Sequence, residues 1–115
     1  MIKFLKNSEE LKSFVEASGS LLVYFYNDDC APCMSLRPKV EFMIREKFPL
    51  MDMIYVNGTA FQDLIGAYQA YSYPALIFYF EGKEFLRYSK YVSLKELETS
   101  VGRIYRILHG PEGSA

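Results

Sequence analysis

The chain has 115 residues, of which 50% are hydrophobic and 17% are aromatic, and its formal net charge is −1 at pH 7. This length can bury the core of one domain, and the composition is too apolar for an intrinsically disordered chain. The charge gives no basic surface for nucleic acid, and no apolar run reaches the ~20 residues that span a bilayer. The N-terminal segment becomes polar too early for a signal peptide, so we expect a soluble, cytoplasmic protein without nucleic-acid or membrane partners.

Hydrophobic periodicity divides the chain into nine elements. In chain order, the patterns predict strand 2–5, helix 7–17, strand 21–26, helix 32–48, strand 51–57, helix 59–70, strands 75–80 and 84–89, and helix 93–108. Three of these helices begin with a capping-box pattern, formed by Asn7 with Glu10, Thr59 with Gln62, and Ser93 with Glu96. Pro38 lies inside the second helix and should kink it.

The order β-α-β-α-β-α-β-β-α predicts an α/β fold with a mixed sheet and helices on both faces. The run "LLVYFY" at 21–26 is apolar throughout, as in a strand that is buried on both sides. The sequence "CAPC" follows this strand and opens the next helix. Because active sites of α/β sheets lie outside the carboxyl ends of strands, we expect the chemistry at this junction.

Cys30 and Cys33 are the only cysteines of the chain, and their spacing indicates a redox pair. A helix N-terminus stabilises a thiolate, so we predict that Cys30 attacks a partner's disulfide. Cys33 lies one turn into the helix, where it is shielded but within reach of Cys30. We therefore predict that Cys33 resolves the mixed disulfide that results.

Three other interpretations of the pair remain open at this point. A structural disulfide would close so short a loop that it constrains the unfolded chain by only about 2 kcal/mol. A zinc site would need two further ligands, and the single histidine, His109, lies at the far end of the last helix. Two unrelated buried thiols would leave the intervening Pro32 and the strand–helix junction unexplained.

Several segments together resemble the thioredoxin family. "LLVYFYNDDCAPC" resembles the family's strand before its W-C-G-P-C motif, Pro38 matches the proline of its active-site helix, and "YSYPALIFYFEGKE" resembles its cis-proline segment. The resemblance implies a thioredoxin fold with a five-stranded sheet over residues 1–109, and the composition of the last residues predicts a flexible tail at 110–115. It also implies a cis Tyr73–Pro74 bond beside the cysteines, although Pro74 could instead simply begin an edge strand.

By the same resemblance, the catalytic residues are Cys30 and Cys33. The residues expected to contact a partner are Asp29, Ala31, Pro32, Tyr73 and Pro74. The implied partners are proteins with disulfides and a thioredoxin reductase, and we expect a monomer that needs neither a cofactor nor a metal.

Three positions depart from the family pattern. Asp29 replaces the Trp before the first cysteine, Tyr24 replaces the buried Asp that accepts the resolving cysteine's proton, and Met53 replaces the Lys beside that Asp. Loss of both charges together avoids an unpaired buried charge. The departures support an alternative function, a thioredoxin-fold module that binds a partner and whose redox activity is weak or vestigial.

Asp28 and Asp29 place negative charge beside a sulfur that must itself become an anion. At about 6 Å and an effective dielectric constant of about 40–80, each carboxylate costs the thiolate roughly 0.7–1.4 kcal/mol. The aspartates should therefore make the pair more reducing and favour basic partners. The alternatives are that both are solvated loop residues, or that Asp29 caps the helix.

Overall fold

The computed structural model describes residues 1–110, and the predicted order of elements is confirmed over that range. The elements are β1 (Ile2–Phe4), α1 (Glu9–Ala17), β2 (Ser20–Tyr26), α2 (Ala31–Lys47), β3 (Asp52–Asn57), α3 (Gln62–Tyr68), β4 (Ala75–Phe80), β5 (Lys83–Ser89) and α4 (Leu94–His109). Pro38 lies within the continuous helix α2. The predicted flexible tail lies outside the described residues from position 111 onward.

The five strands form one mixed sheet in the order β1-β3-β2-β4-β5. β3 is parallel to both β1 and β2, whereas β4 is antiparallel to β2 and β5 is antiparallel to β4. β2 is the central strand, and its residue Tyr24 lies between Tyr55 of β3 and Leu76 of β4. The strand that leads to the cysteines is therefore held on both sides.

The sheet separates two hydrophobic clusters. One cluster packs α2 and α4 against one face of the sheet and includes Cys33, and the other packs α1 and α3 against the opposite face. Successive residues of β2 alternate between the two clusters, as the twofold side-chain period of a strand requires. All residues from 20 to 25 are buried, which confirms the prediction of a strand covered on both faces.

The predicted capping pairs at α1 and α4 each form a hydrogen bond, although the N-cap residue of α1 is Ser8, whose side chain makes no cap bond. Ser93 caps α4, because its side chain accepts a hydrogen bond from the Glu96 N–H at 3.3 Å. At α1, the Asn7 Oδ1 accepts from the Glu10 N–H at 3.2 Å, and the Asn7 amide donates to the Glu10 carboxylate at 2.9 Å. The Glu10 carboxylate thus accepts from the side-chain amide of Asn7, whereas in the usual capping box it accepts from the backbone N–H of the cap residue.

The prediction of a capping box at Thr59 is wrong. α3 begins at Gln62, its N-cap residue is Phe61, and no side chain caps it. The Thr59 N–H donates instead to the Asn57 Oδ1 at 2.9 Å, because the asparagine at the end of β3 forms a local turn. α3 also ends earlier than expected, at Tyr68, and Gln69 adopts a left-handed conformation with φ 56°.

The predicted hairpin of β4 and β5 is confirmed, and its turn contains Glu81 and Gly82. Both residues have positive φ, 50° and 80° respectively. Such a pair of positive φ angles belongs to the type I′ turn, whose twist matches that of the flanking strands. Glycine is favoured at the second position because it has no Cβ to clash.

Candidate active site

The cysteine pair lies where β2 leads into α2. Cys30 is the N-cap residue of α2, and its sulfur accepts a hydrogen bond from the Cys33 N–H at 3.2 Å. A disulfide joins the two residues, whose Cα atoms are 5.3 Å apart. The structure therefore brings the predicted pair together in its oxidised form.

The two cysteines differ in accessibility. Cys33 is 0% exposed and belongs to the cluster beneath α2, whereas Cys30 is only partly buried at the edge of that cluster. Cys30 is therefore the more accessible of the two cysteines. The unpaired N–H groups and the positive dipole end of α2 also lie beside Cys30, where they stabilise negative charge.

Tyr24 contacts the shielded side of the pair. Its hydroxyl donates a hydrogen bond to the Cys33 carbonyl oxygen at 2.7 Å, and the side chain is fully buried. Burial raises the pKa of the Tyr24 phenol above its ordinary value, and the positive charge of Arg37 only partly opposes this rise. The phenol stays neutral at pH 7 and donates a bond to the backbone, so it does not provide a proton acceptor for Cys33.

The two aspartates before the pair are exposed. The Asp28 Oδ1 accepts a hydrogen bond from the Asn57 side chain at 3.1 Å, and the Asp29 N–H donates to the Asn27 Oδ1 at 3.1 Å. The suggestion that Asp29 caps α2 is wrong, because the cap position belongs to Cys30. The loop instead turns around Asn27, which leaves the Asp29 carboxylate near solvent.

The Tyr73–Pro74 peptide is cis, as the resemblance implied. The Tyr73 ring packs against both hydrophobic clusters, and its hydroxyl occupies the space that a side chain at Gly58 would need. Tyr73 is therefore only partly exposed, and Pro74 is buried. The Pro74 carbonyl accepts a hydrogen bond from the Lys90 N–H at 3.1 Å, which ties this loop to the end of β5.

An open groove of about 460 Å³ lies next to the cysteine pair. Its lining comes from α2, from the loop before β4 and from the loop before α4: Pro32, Leu36, Pro74, Lys90, Tyr91, Val92 and Ser93. The Tyr91 side chain is 96% exposed. Lys90 and Tyr91 were not among the predicted site residues. The strand order indicates that these residues lie near the cysteines, because β5 ends beside the start of β4 and the end of β2.

Within residues 1–110, no group of three or more His, Cys, Asp or Glu side chains is arranged to hold a metal ion. His109 lies away from the cysteines, with its Nε2 2.9 Å from the Ser20 hydroxyl. None of the helices in this range is long and apolar enough to cross a membrane.

Comparison with known proteins identifies the family. The thioredoxin family model matches residues 2–103. A thioredoxin from Chlamydia pneumoniae is 34% identical over 98 residues, which are 85% of this chain and 90% of that protein. The thioredoxin-like protein YdfQ of Bacillus subtilis (strain 168) is 23% identical over 100 residues, which are 87% of this chain and 88% of that protein.

The fold agrees with this match. The oxidised thioredoxin of Plasmodium falciparum superposes with a TM-score of 0.78 at 19% identity, covering 89% of this chain and 99% of the other. A mutant thioredoxin from Halobacterium salinarum NRC-1 gives a TM-score of 0.75 at 20% identity, covering 93% of this chain and 89% of the other. The family match and the disulfide-bonded Cys30 and Cys33 show that the chain belongs to the thioredoxin family of thiol–disulfide oxidoreductases.

Proposed function

We propose that this chain reduces disulfides of partner proteins, with Cys30 as the nucleophile and Cys33 as the resolving cysteine. The observation that carries the proposal is the difference in accessibility of two bonded cysteines at the start of α2. Cys30 is open to a partner, and Cys33 is buried but adjacent to Cys30. Thioredoxins in general act on protein disulfides and are reduced by thioredoxin reductase.

The reaction needs two exchanges. The Cys30 thiolate attacks one sulfur of the partner disulfide, whose S–S bond breaks and whose other sulfur leaves as a thiolate. The Cys33 thiolate then attacks the Cys30 sulfur, forms the internal disulfide and releases the partner's second sulfur as a thiolate. Two electrons have passed to the partner, whose thiolates take up protons from water. A reductase or another dithiol must then reduce the Cys30–Cys33 bond.

We propose further that the partner segment lies across the rim of the groove, where Asp29, Ala31 and Pro32 border one side and the Tyr73–Pro74 backbone borders the other. The exposed positions of residues 29, 31 and 32 support this assignment. A cytoplasmic location and a monomeric state belong to the same proposal. A reducing compartment is where a dithiol of this kind would be maintained.

Reduction of insulin disulfides in the presence of dithiothreitol tests the proposal. We expect the wild-type protein to accelerate insulin precipitation well above the rate with dithiothreitol alone, and Cys30→Ser to abolish the acceleration. Cys33→Ser should accumulate a mixed disulfide with insulin chains, visible by mass spectrometry. A folded wild-type protein that stays at background would support the partner-binding module instead.

A further inference from the structure

Arg37 lies one helical turn after Cys33, and two aromatic rings restrain its charge. It follows Cys33 by one helical turn on α2, so both side chains lie on the same face of the helix. The guanidinium carbon lies 4.7 Å from the centroid of the Phe4 ring and 4.7 Å from the centroid of the Tyr55 ring. These two rings stack on each other at 4.8 Å. Contact with two aromatic faces restrains a side chain that is otherwise flexible.

A set of contacts connects the rings beside Arg37 to the backbone of Cys33. The Tyr55 ring meets the Tyr24 ring edge to face, with centroids 5.4 Å apart. The Tyr24 hydroxyl in turn donates to the Cys33 carbonyl oxygen at 2.7 Å. Burial raises the pKa of Tyr24, and the positive charge of Arg37 partly opposes this rise.

Two carboxylates act on the same tyrosines as Arg37. Glu41 accepts a hydrogen bond from the Tyr55 hydroxyl at 2.6 Å and pairs with Arg45 at 3.5 Å. Burial and then Glu41 raise the pKa of Tyr55, burial and then Asp28 raise the pKa of Tyr26, and the positive charge of Arg37 opposes both rises. The titratable and charged groups around Cys33 are Arg37 and Glu41 on α2, Tyr24 and Tyr26 on β2, Tyr55 on β3, Tyr88 on β5, Tyr105 on α4, and Asp28, Asp29, Tyr73 and Lys90 in the loops.

We propose that Arg37 is a positioning residue for the resolving step, in which its restrained positive charge stabilises the Cys33 thiolate in place of a proton-accepting carboxylate. The proposal rests on the proposed function, since it requires Cys33 to attack the mixed disulfide. In this step the Cys33 thiol gives its proton to water, and the thiolate forms a bond to the Cys30 sulfur. The Cys30–partner bond breaks, and the partner sulfur leaves as a thiolate.

Stopped-flow reaction of the reduced protein with 5,5′-dithiobis(2-nitrobenzoate) separates the two exchanges. Attack by Cys30 releases one coloured thiolate, and attack by Cys33 on the mixed disulfide releases a second. The two phases would be followed between pH 6 and 10 for the wild type, Arg37→Gln and Arg37→Lys. Lys39→Gln is the matched control, because Lys39 is an exposed cation on the same helix and lies outside the aromatic contacts.

We expect Arg37→Gln to slow the second phase about threefold to tenfold at pH 7 and to raise the midpoint of its pH–rate profile by about 0.5–1 unit. The first phase should change less than twofold. Arg37→Lys should restore most of the rate, and Lys39→Gln should match the wild type. Phe4→Leu keeps the Arg37 charge but removes one of the two rings that restrain it. It should raise the midpoint by a smaller amount.

An unchanged midpoint in folded Arg37→Gln, or an equal shift in Lys39→Gln, would overturn the role of Arg37. If Arg37→Gln does not fold, an unchanged midpoint in Phe4→Leu overturns it equally. Failure of the proposed function looks different, because the wild-type protein would then release no second thiolate at any pH.

Discussion

Tyr24→Phe tests whether the buried phenol supports the active-site helix without taking part in proton transfer. The substitution removes one oxygen and keeps the ring, so the packing of Tyr24 against Tyr55 remains. What is lost is the 2.7 Å hydrogen bond to the Cys33 carbonyl. Cys33 lies in the first turn of α2, so its carbonyl also takes part in the hydrogen bonding of the helix.

The expected loss of stability is therefore the net value of one hydrogen bond, about 1 kcal/mol, rather than the larger cost of an orphaned polar group. Guanidinium denaturation of the oxidised protein would measure this loss as a lower midpoint with an unchanged slope. The second phase of the dithiobis(2-nitrobenzoate) reaction should stay within about twofold of the wild type, because a neutral phenol accepts no proton from Cys33.

Tyr55→Phe is the matched control, since its hydroxyl binds the partly exposed Glu41 carboxylate, which water can solvate after the change. It should cost less stability than Tyr24→Phe. If Tyr24→Phe is as stable as the wild type, the hydrogen bond contributes nothing. If a folded Tyr24→Phe protein loses the second phase, the phenol takes part in proton transfer and the reasoning is refuted.

Two further substitutions test the surroundings of the cysteines. Asp29→Asn removes a negative charge before Cys30, so the redox potential against glutathione should become more oxidising by about 15–30 mV at low ionic strength, and the difference should shrink in 1 M salt. An unchanged potential would show that Asp29 is a solvated loop residue without influence on the cysteine pair. Gly58→Ala places a methyl group against the Tyr73 hydroxyl and should cost about 1–3 kcal/mol by thermal unfolding. Tyr73→Phe should recover part of that loss in a double-mutant cycle, and strictly additive losses would contradict the contact.

The sequence predicted most of the fold because its local patterns agree with the tertiary structure. The apolar run of β2 and the periodic helices bury the faces that their patterns indicated. The error at Thr59 arose where two local interactions compete. The Asn57 side chain accepts from the Thr59 N–H and the Asn57 carbonyl accepts from the Phe61 N–H, so the chain turns here and α3 begins only at Gln62. Side-chain competition of this kind is decided by backbone geometry that the sequence pattern does not contain.

The candidate site was likewise predictable only in part from the sequence. Cys30 and Cys33 follow from spacing alone, and the departure at Tyr24 is visible in the sequence. The donation of the Tyr24 hydroxyl to a backbone carbonyl required the structure, since it depends on how β2 faces α2. Arg37 gives no signal in the sequence, because the rings that restrain it come from β1 and β3.

The position of β2 in the sheet has a consequence for local unfolding. β2 has a hydrogen-bonded neighbour on each side and helices on both faces, so its amides should be among the last to exchange with deuterium. The loop that carries Lys90 and Tyr91 follows the edge strand β5 and opens to solvent. Cys30 thus lies where the enclosed strand ends and the open groove begins. We therefore expect the strand behind the sulfur to stay folded during exchange with a partner.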